Sequence, residues 1–136
     1  MAFFDELKKS PAMTDAELAD TAKQIFWEIR GSCLALKQTG EHKLTRVYGW
    51  HRFVPPVWQK GDPAYYPVTM GGPEEADRYG TDGYFAGCTE QNRNRILARL
   101  ASLLRTEGFP EECAAPVSVR LKSGETCHLI RVGIRW

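Results

Sequence analysis

The 136 residues are enough for one domain with its own hydrophobic core, so neither a metal nor a disulfide is required for stability. With 43% hydrophobic residues, 26% charged residues and a net charge of +1, the chain is of globular type and has no overall field that favours nucleic acids or acidic lipids. Residues 1–90 contain 10 basic and 13 acidic residues, whereas residues 91–136 contain 8 and 4. A basic surface is therefore expected only in the second part.

The sequence has no pattern of a membrane or secreted protein. No stretch approaches the roughly 18 consecutive apolar residues of a membrane helix, and the start MAFFDELKKS lacks the order of a secretory signal. We therefore expect a cytoplasmic protein. Four cysteines are too few for a disulfide scaffold of this length, so we expect reduced thiols. They are Cys33, Cys88, Cys113 and Cys127.

A long amphipathic helix is predicted between Met13 and Gly40. Thr14 and Glu17 form a capping box, and Gly40 stands where a left-handed C-terminal cap is wanted. Apolar residues recur between them at steps of three and four, which predicts one face in the core. These residues are Leu18, Ala22, Ile25, Phe26, Ile29, Cys33 and Leu36.

The middle of the sequence is predicted to be extended and then irregular. Residues 44–54 (LTRVYGWHRFV) are rich in β-branched and aromatic residues and predict a strand. A second strand is expected over residues 64–70, where Pro67 confines the segment to a sheet edge or to irregular structure. Residues 71–87 form a long glycine-rich loop, with a short strand at 83–86.

A second helix is predicted from the cap at Thr89 to Gly108, with Phe109 folding back onto Leu104. A C-terminal hairpin follows, and Ser123-Gly124 is interpreted as its two-residue turn. That turn places Leu121 opposite Thr126, Val119 opposite His128 and Val117 opposite Ile130. His128 is then expected on the core side of the hairpin.

These elements predict a single α+β domain over residues 1–136. Two main amphipathic helices pack on one face of an antiparallel or mixed sheet, in the order α-β-(β)-(β)-α-β-β with the hairpin at the end. No repeat or low-complexity tract competes with this interpretation.

Aromatic residues are frequent in the central part of the sequence. Much of this part has no regular predicted secondary structure, which makes full burial of their side chains difficult. Aromatic side chains are preferred anchors of interfaces and pockets. We therefore favour a non-enzymatic binding or regulatory domain that recognises a protein or a small ligand, with a homodimer as one form of partner. The expected binding residues are Trp58, Tyr65, Tyr66, Tyr79, Tyr84 and Phe85.

A nucleic-acid binder is the second hypothesis, because basic residues recur on the second helix and on the hairpin. Contacts to a phosphate backbone need only positive charge in a suitable shape. No known recognition motif accompanies these residues. They are Arg93, Arg95, Arg99 and Arg105 on the exposed helix face, and Arg120, Lys122, Arg131 and Arg135 on the outer hairpin face.

A thiol hydrolase is the third hypothesis. Cys88 directly precedes the cap of the second helix, where the helix dipole lowers the pKa of a thiol. His128 follows on a predicted strand with the sequence CHLIRVGIRW. A cysteine at a helix start with a histidine on a later strand resembles the papain-type hydrolases, and this resemblance implies Cys88 as nucleophile and His128 as base. It covers the chain from Cys88 onward, and Gly87-Cys88-Thr89-Glu90 departs from the Asp-Cys-Ser-Gly setting of that family.

Metal and cofactor sites are not expected. The sequence contains no C-x-x-C, no H-x-x-x-H and no E-x-x-H on either predicted helix. The dipeptide Gly71-Gly72 is followed by Pro73 and two glutamates, which have the wrong charge for a phosphate.

Overall fold

The computed structural model of the protein describes residues 14–52, 65–70, 89–122, 124 and 126–136, without the side chains of residues 50–52, 65–68 and 70. The elements are α1 (Asp15–Gln38), β1 (Lys43–Arg52), β2 (Tyr65–Met70), α2 (Glu90–Thr106), a 3₁₀ turn (Glu111–Cys113), β3 (Ala114–Arg120) and β4 (Thr126–Arg135). This order confirms the predicted α+β class. The expected loop at 71–87, with its short strand, lies outside the described residues.

Both helices begin and end at the capping residues that the sequence indicates. Thr14 and Glu17 close a reciprocal capping box at the start of α1, and the Thr89 side chain caps α2. Each helix is followed by a glycine with positive φ, 84° at Gly40 and 85° at Gly108. Residues with a side chain rarely adopt that conformation, so glycine sets both helix ends.

The four strands form one antiparallel sheet in the order β2-β1-β4-β3. β1 and β4 are therefore central, and β2 and β3 are the edge strands. Of the two settings that the sequence allows for Pro67, a sheet edge or irregular structure, the structure shows the edge, since Pro67 lies in β2 at the end of the row of described strands. The other edge strand, β3, contains Pro116.

The two helices pack on one face of the sheet, which we call the covered face, and build the main core there. Alternate residues of β1 and β4 point into this core because side chains alternate between the faces of a strand. The buried members are Leu18, Ala22, Ile25, Phe26, Ile29, Leu44, Tyr48, Ile96, Leu100, Leu104, Cys113, Ile130, Val132 and Ile134.

Tyr48 joins the sheet to α1 inside this core. Its hydroxyl donates a hydrogen bond to the carboxylate of Glu28, which also accepts one from the Ser32 hydroxyl at 2.8 Å. Burial, together with the hydrogen bond to Glu28, raises the pKa of Tyr48 well above its ordinary value. The phenol is therefore neutral and remains a hydrogen-bond donor.

The opposite face of the sheet, which we call the outer face, carries a second apolar cluster. Val47, Cys127 and Leu129 are buried there, and partly buried residues of the hairpin pack against them. Burial raises the pKa of the Cys127 thiol from 9.0 to about 11. These partly buried residues are Val117, Val119 and Leu121.

The hairpin register differs by one residue from the predicted one. Val119 pairs with Cys127, and His128 pairs with Ser118. The Gly124 N–H donates to the Leu121 carbonyl at 2.9 Å, and Gly124 has φ 91°. The last described pair, Arg120 with Thr126, has five residues between its members, whereas the predicted two-residue turn leaves an even number.

The register shift inverts the predicted facing of β3. Val117 and Val119 lie on the outer face with Leu129 and Cys127, because directly paired residues share a face. The facing of β4 was predicted correctly, since His128 alternates with the core residue Ile130. His128 is half-buried rather than enclosed.

Arg93 anchors α2 to the hairpin. It is only 4% exposed, and its Nη1 donates to the carbonyls of Val117 and Leu129, both at 3.1 Å. Its Nε donates to Asn94 Oδ1 at 2.7 Å. The prediction that Arg93 lies on the exposed face of α2 is therefore wrong. The residue lies three positions before Ile96, which places it on the buried side of the helix.

Neither described helix combines the length and the apolar character that a membrane crossing requires.

Candidate functional site

An open apolar cleft of about 380 Å³ lies where α1, α2 and β4 end. Its volume is within the range of small-ligand pockets, about 300–1,000 Å³. The three elements contribute a mostly apolar lining with charged residues among it. The lining residues are Cys33, Leu34, Lys37, Glu107, Gly108, Phe109, Pro110, Ile134, Arg135 and Trp136.

The end of α2 positions one wall of the cleft. The Gly108 N–H donates to the Arg105 carbonyl and the Phe109 N–H to the Leu104 carbonyl, both at 3.0 Å. These two bonds define a Schellman motif, which reverses the chain and directs the following apolar residue back to the helix. Phe109 therefore packs against the main core beside the cleft, as the sequence predicts, and Pro110 prevents the helix from continuing.

The end of β4 forms the opposite wall. The Trp136 N–H donates to the His42 carbonyl at 2.9 Å, which holds this end of the strand against the residue before β1. Ile134 points into the core, whereas the Trp136 side chain is 39% exposed. An aromatic ring is thus presented at the cleft from a backbone that is fixed by the sheet.

α1 extends this surface away from the cleft. Trp27 is 61% exposed and Leu34 is 58% exposed. They are seven residues apart in the helix, which is about two turns, so both lie on the same side of α1. Between them, a Cβ added to Gly31 would meet no atom within 4 Å, so the backbone there is open. We call the surface of Trp27, Gly31 and Leu34 the apolar ridge.

Arg30 lies beside the apolar ridge and links it to α2. Its guanidinium carbon is 5.2 Å from the centre of the Trp27 ring, and its Nη1 is 4.0 Å from a carboxylate oxygen of Glu107. The cation lies over the Trp27 ring and restricts that side chain. Glu107, which is the acidic residue in the cleft lining, is therefore paired with Arg30.

The charge that remains at the cleft is positive. Lys37 and Arg135 line it and form no ion pair with any carboxylate in the described part of the chain. Cys33 also lines it, but burial raises the pKa of the Cys33 thiol above its ordinary value, so the thiol is neutral. The arrangement can bind an apolar group that carries a negative charge; it provides no activated nucleophile.

The six aromatic residues that the sequence predicts for binding have no described side chains. Tyr65 and Tyr66 lie in β2, where they pair with Arg52 and His51, but their side chains are outside the description. Trp58, Tyr79, Tyr84 and Phe85 are outside the described residues altogether. These six remain predictions.

The exposed residues of the apolar ridge and cleft were missed by sequence reasoning. Trp27 and Leu34 are off the apolar stripe of α1, seven residues apart, and such a pair on the exposed side of a helix is the signal that could have identified them.

The remaining arginines of α2 lie close to acidic residues. Arg95 and Arg99 lie 2.6 and 3.7 Å from the same carboxylate oxygen of Asp15, at the start of α1. Arg105 lies 3.6 Å from Glu111 in the 3₁₀ turn. Together with the buried Arg93, these contacts account for all four arginines of the predicted basic helix face.

The basic residues of the hairpin lie in three different places. Arg131 and Arg135 are exposed on the outer face, where they pair with Val47 and Lys43 of β1. Arg120 is also exposed, but the prediction that it lies on the outer face is wrong, because it pairs with Thr126 on the side of the sheet that His128 and Ile130 share. Lys122 is exposed next to the hairpin turn.

His128 contacts a serine across the hairpin. Its Nδ1 lies 3.1 Å from Ser118 Oγ, and Arg93 Nη1 lies 3.5 Å from the same oxygen. Cys88, the nucleophile implied by the papain-type resemblance, is outside the described residues, so the Cys88–His128 pair remains a prediction.

Comparison with protein-family models, with curated proteins and with solved structures finds no match.

Proposed function

We propose that this domain is a binding module that holds an apolar, acidic segment of a protein partner in the cleft. The observation that carries the proposal is the exposure of Leu34 and Trp136 at a cleft whose charge is positive. Large apolar side chains that stay exposed next to one another are typical of interaction sites in soluble proteins.

A protein partner fits the shape of this surface better than a small ligand does. Pockets for small ligands usually enclose most of the ligand, whereas this cleft is open and continues into the apolar ridge at Leu34. Trp27 lies two helical turns further along. An extended or helical segment can contact the cleft and Trp27 together, with tryptophan and leucine side chains as its anchors.

The charges select the partner. Lys37 and Arg135 have no described acidic partner, and Glu107 is already close to Arg30. An acidic residue next to the apolar anchor of the partner would find two cations, whereas a basic residue would be repelled. We therefore expect the partner segment to combine apolar and acidic residues.

Selection of phage-displayed peptides on the immobilised full-length protein tests this proposal. We expect enrichment of peptides that contain an apolar residue beside an acidic one. Leu34→Ser should weaken binding of a selected synthetic peptide by about fivefold or more, since central apolar anchors contribute more than about 1 kcal/mol. Ala16→Ser, an exposed position at the opposite end of α1, is the matched control and should bind as the wild type does.

Two results would overturn the proposal. One is a set of selected peptides with no acidic residue, which would remove the role of Lys37 and Arg135. The other is equal affinity of the wild type and Leu34→Ser for every selected peptide. The melting temperature of Leu34→Ser should stay close to that of the wild type, because Leu34 is mostly exposed, so loss of the fold cannot imitate loss of the site.

A further inference from the structure

The outer face contains a flat basic surface beyond its apolar cluster. Lys43 of β1 lies directly opposite Arg135 of β4, and Arg131 lies four residues before Arg135, about 13 Å along the strand. All three side chains are exposed. We call this surface the basic half of the outer face.

These three cations lack the acidic partners that the arginines of α2 have. None of them forms an ion pair with a carboxylate in the described part of the chain, whereas Arg95, Arg99 and Arg105 all do. A cluster of unneutralised cations raises the local potential even when the whole chain has a net charge of only +1. An anionic ligand is therefore attracted to this face in particular.

The residues between the cations are small. Thr45 and Gly133 lie between them and Ala115 lies beside Arg131; all three are exposed, and a Cβ added to Gly133 would meet no atom within 4 Å. The surface is thus open and flat, and its described residues include no large apolar side chain that could anchor a protein or enter a membrane. Its chemistry suits a ligand that is recognised by negative charge alone.

We propose that the basic half of the outer face binds the phosphate backbone of single-stranded nucleic acid. Arg131 and Arg135 follow one another along β4 and Lys43 lies across from Arg135, so the three cations can contact phosphates of an extended single strand that lies against the sheet. Binding is independent of sequence, because phosphates carry no base information. Arg135 also lines the cleft, but Lys43 and Arg131 do not, so the proposal is tested at these two residues.

Fluorescence anisotropy of a labelled oligothymidylate, titrated with the full-length protein at several salt concentrations, tests the proposal. Three phosphate contacts on a single strand predict a slope of log K against log salt of about −2, since each contributes about 0.7. Binding should weaken about 20-fold between about 50 and about 200 mM salt. Arg131→Gln and Lys43→Gln should each reduce the steepness of the slope by about 0.7.

Arg105→Gln is the matched control. It removes the same charge from an exposed arginine, but one that is paired with Glu111 on the other side of the molecule, and it should leave the slope unchanged. An equal loss in this variant would show that only net charge matters and would overturn the proposal. Stronger binding to a duplex of the same length, or to vesicles of anionic phospholipid, would also overturn it. Leu34→Ser should bind the oligonucleotide normally, which separates this site from the cleft.

Discussion

The two faces of the sheet are built by the same alternating strands, yet they are completed in different ways. On the covered face, residues of both helices close over Leu44, Tyr48, Ile130 and Val132 to form a single core. On the outer face, a small buried cluster around Leu129 gives way to an exposed basic surface. Alternation thus decides which face a residue is on, but the elements packed against that face decide whether it is core or surface.

Neighbouring residues of β4 give the largest test of this comparison. Ile130 and Leu129 are both 0% exposed, but Ile130 belongs to the main core and Leu129 to the smaller outer cluster. We expect Ile130→Ala to lower the free energy of unfolding by about 3–5 kcal/mol and Leu129→Ala by about 2–3 kcal/mol. Urea denaturation measures both values. A larger effect at Leu129 would make the outer face the principal core.

Removal of the Arg93 contacts that join α2 to the hairpin should lower the free energy of unfolding by an intermediate amount. Arg93→Met keeps much of the apolar length of the side chain but removes the donors to the carbonyls of Val117 and Leu129. We expect a loss of about 1.5–3 kcal/mol, the range for hydrogen bonds of charged groups. Arg99→Met on the same helix is the control and should cost less than about 1 kcal/mol, because its ion pair with Asp15 is exposed. Similar losses in both variants would contradict the anchoring role.

The outer face should also make stability depend on alkaline pH, and this is the smallest effect that we predict. Burial raises the pKa of Cys127 from 9.0 to about 11, so above pH 9 the unfolded chain releases this proton more readily than the folded one. The stabilisation is therefore complete below pH 9 and is lost as the pH rises towards 11. Melting temperatures measured across this window should fall less steeply in Cys127→Ala.

A residual slope is expected in Cys127→Ala, because burial also raises the pKa of Cys33 and Cys113. An unchanged slope in that variant would show that Cys127 is not buried in the folded protein.

The fold could be predicted largely from local signals in the sequence. The capping box at Thr14, the glycines after both helices and the proline in β2 each act through the backbone of a few residues, so they keep their meaning in any fold. The apolar periodicity of α1 and α2 then fixes which sides they bury.

What the sequence could not supply depends on contacts between distant residues. Ser123-Gly124 fits a two-residue or a three-residue loop, and the choice between them shifts every pair of the hairpin. Arg93 can occupy a buried helical position because two strand carbonyls accept hydrogen bonds from it. No local sequence pattern reveals those acceptors. The cleft arises only where the ends of α1, α2 and β4 meet.

The two prolines in the edge strands have a consequence for the behaviour of the protein at high concentration. An open sheet edge is a template on which further chains can add strands, and such addition leads to aggregates and fibrils. Pro67 in β2 and Pro116 in β3 each remove one N–H from an edge strand and interrupt that template. Growth of the sheet from one molecule to the next, by addition of a strand to β2 or β3, is therefore disfavoured at both prolines.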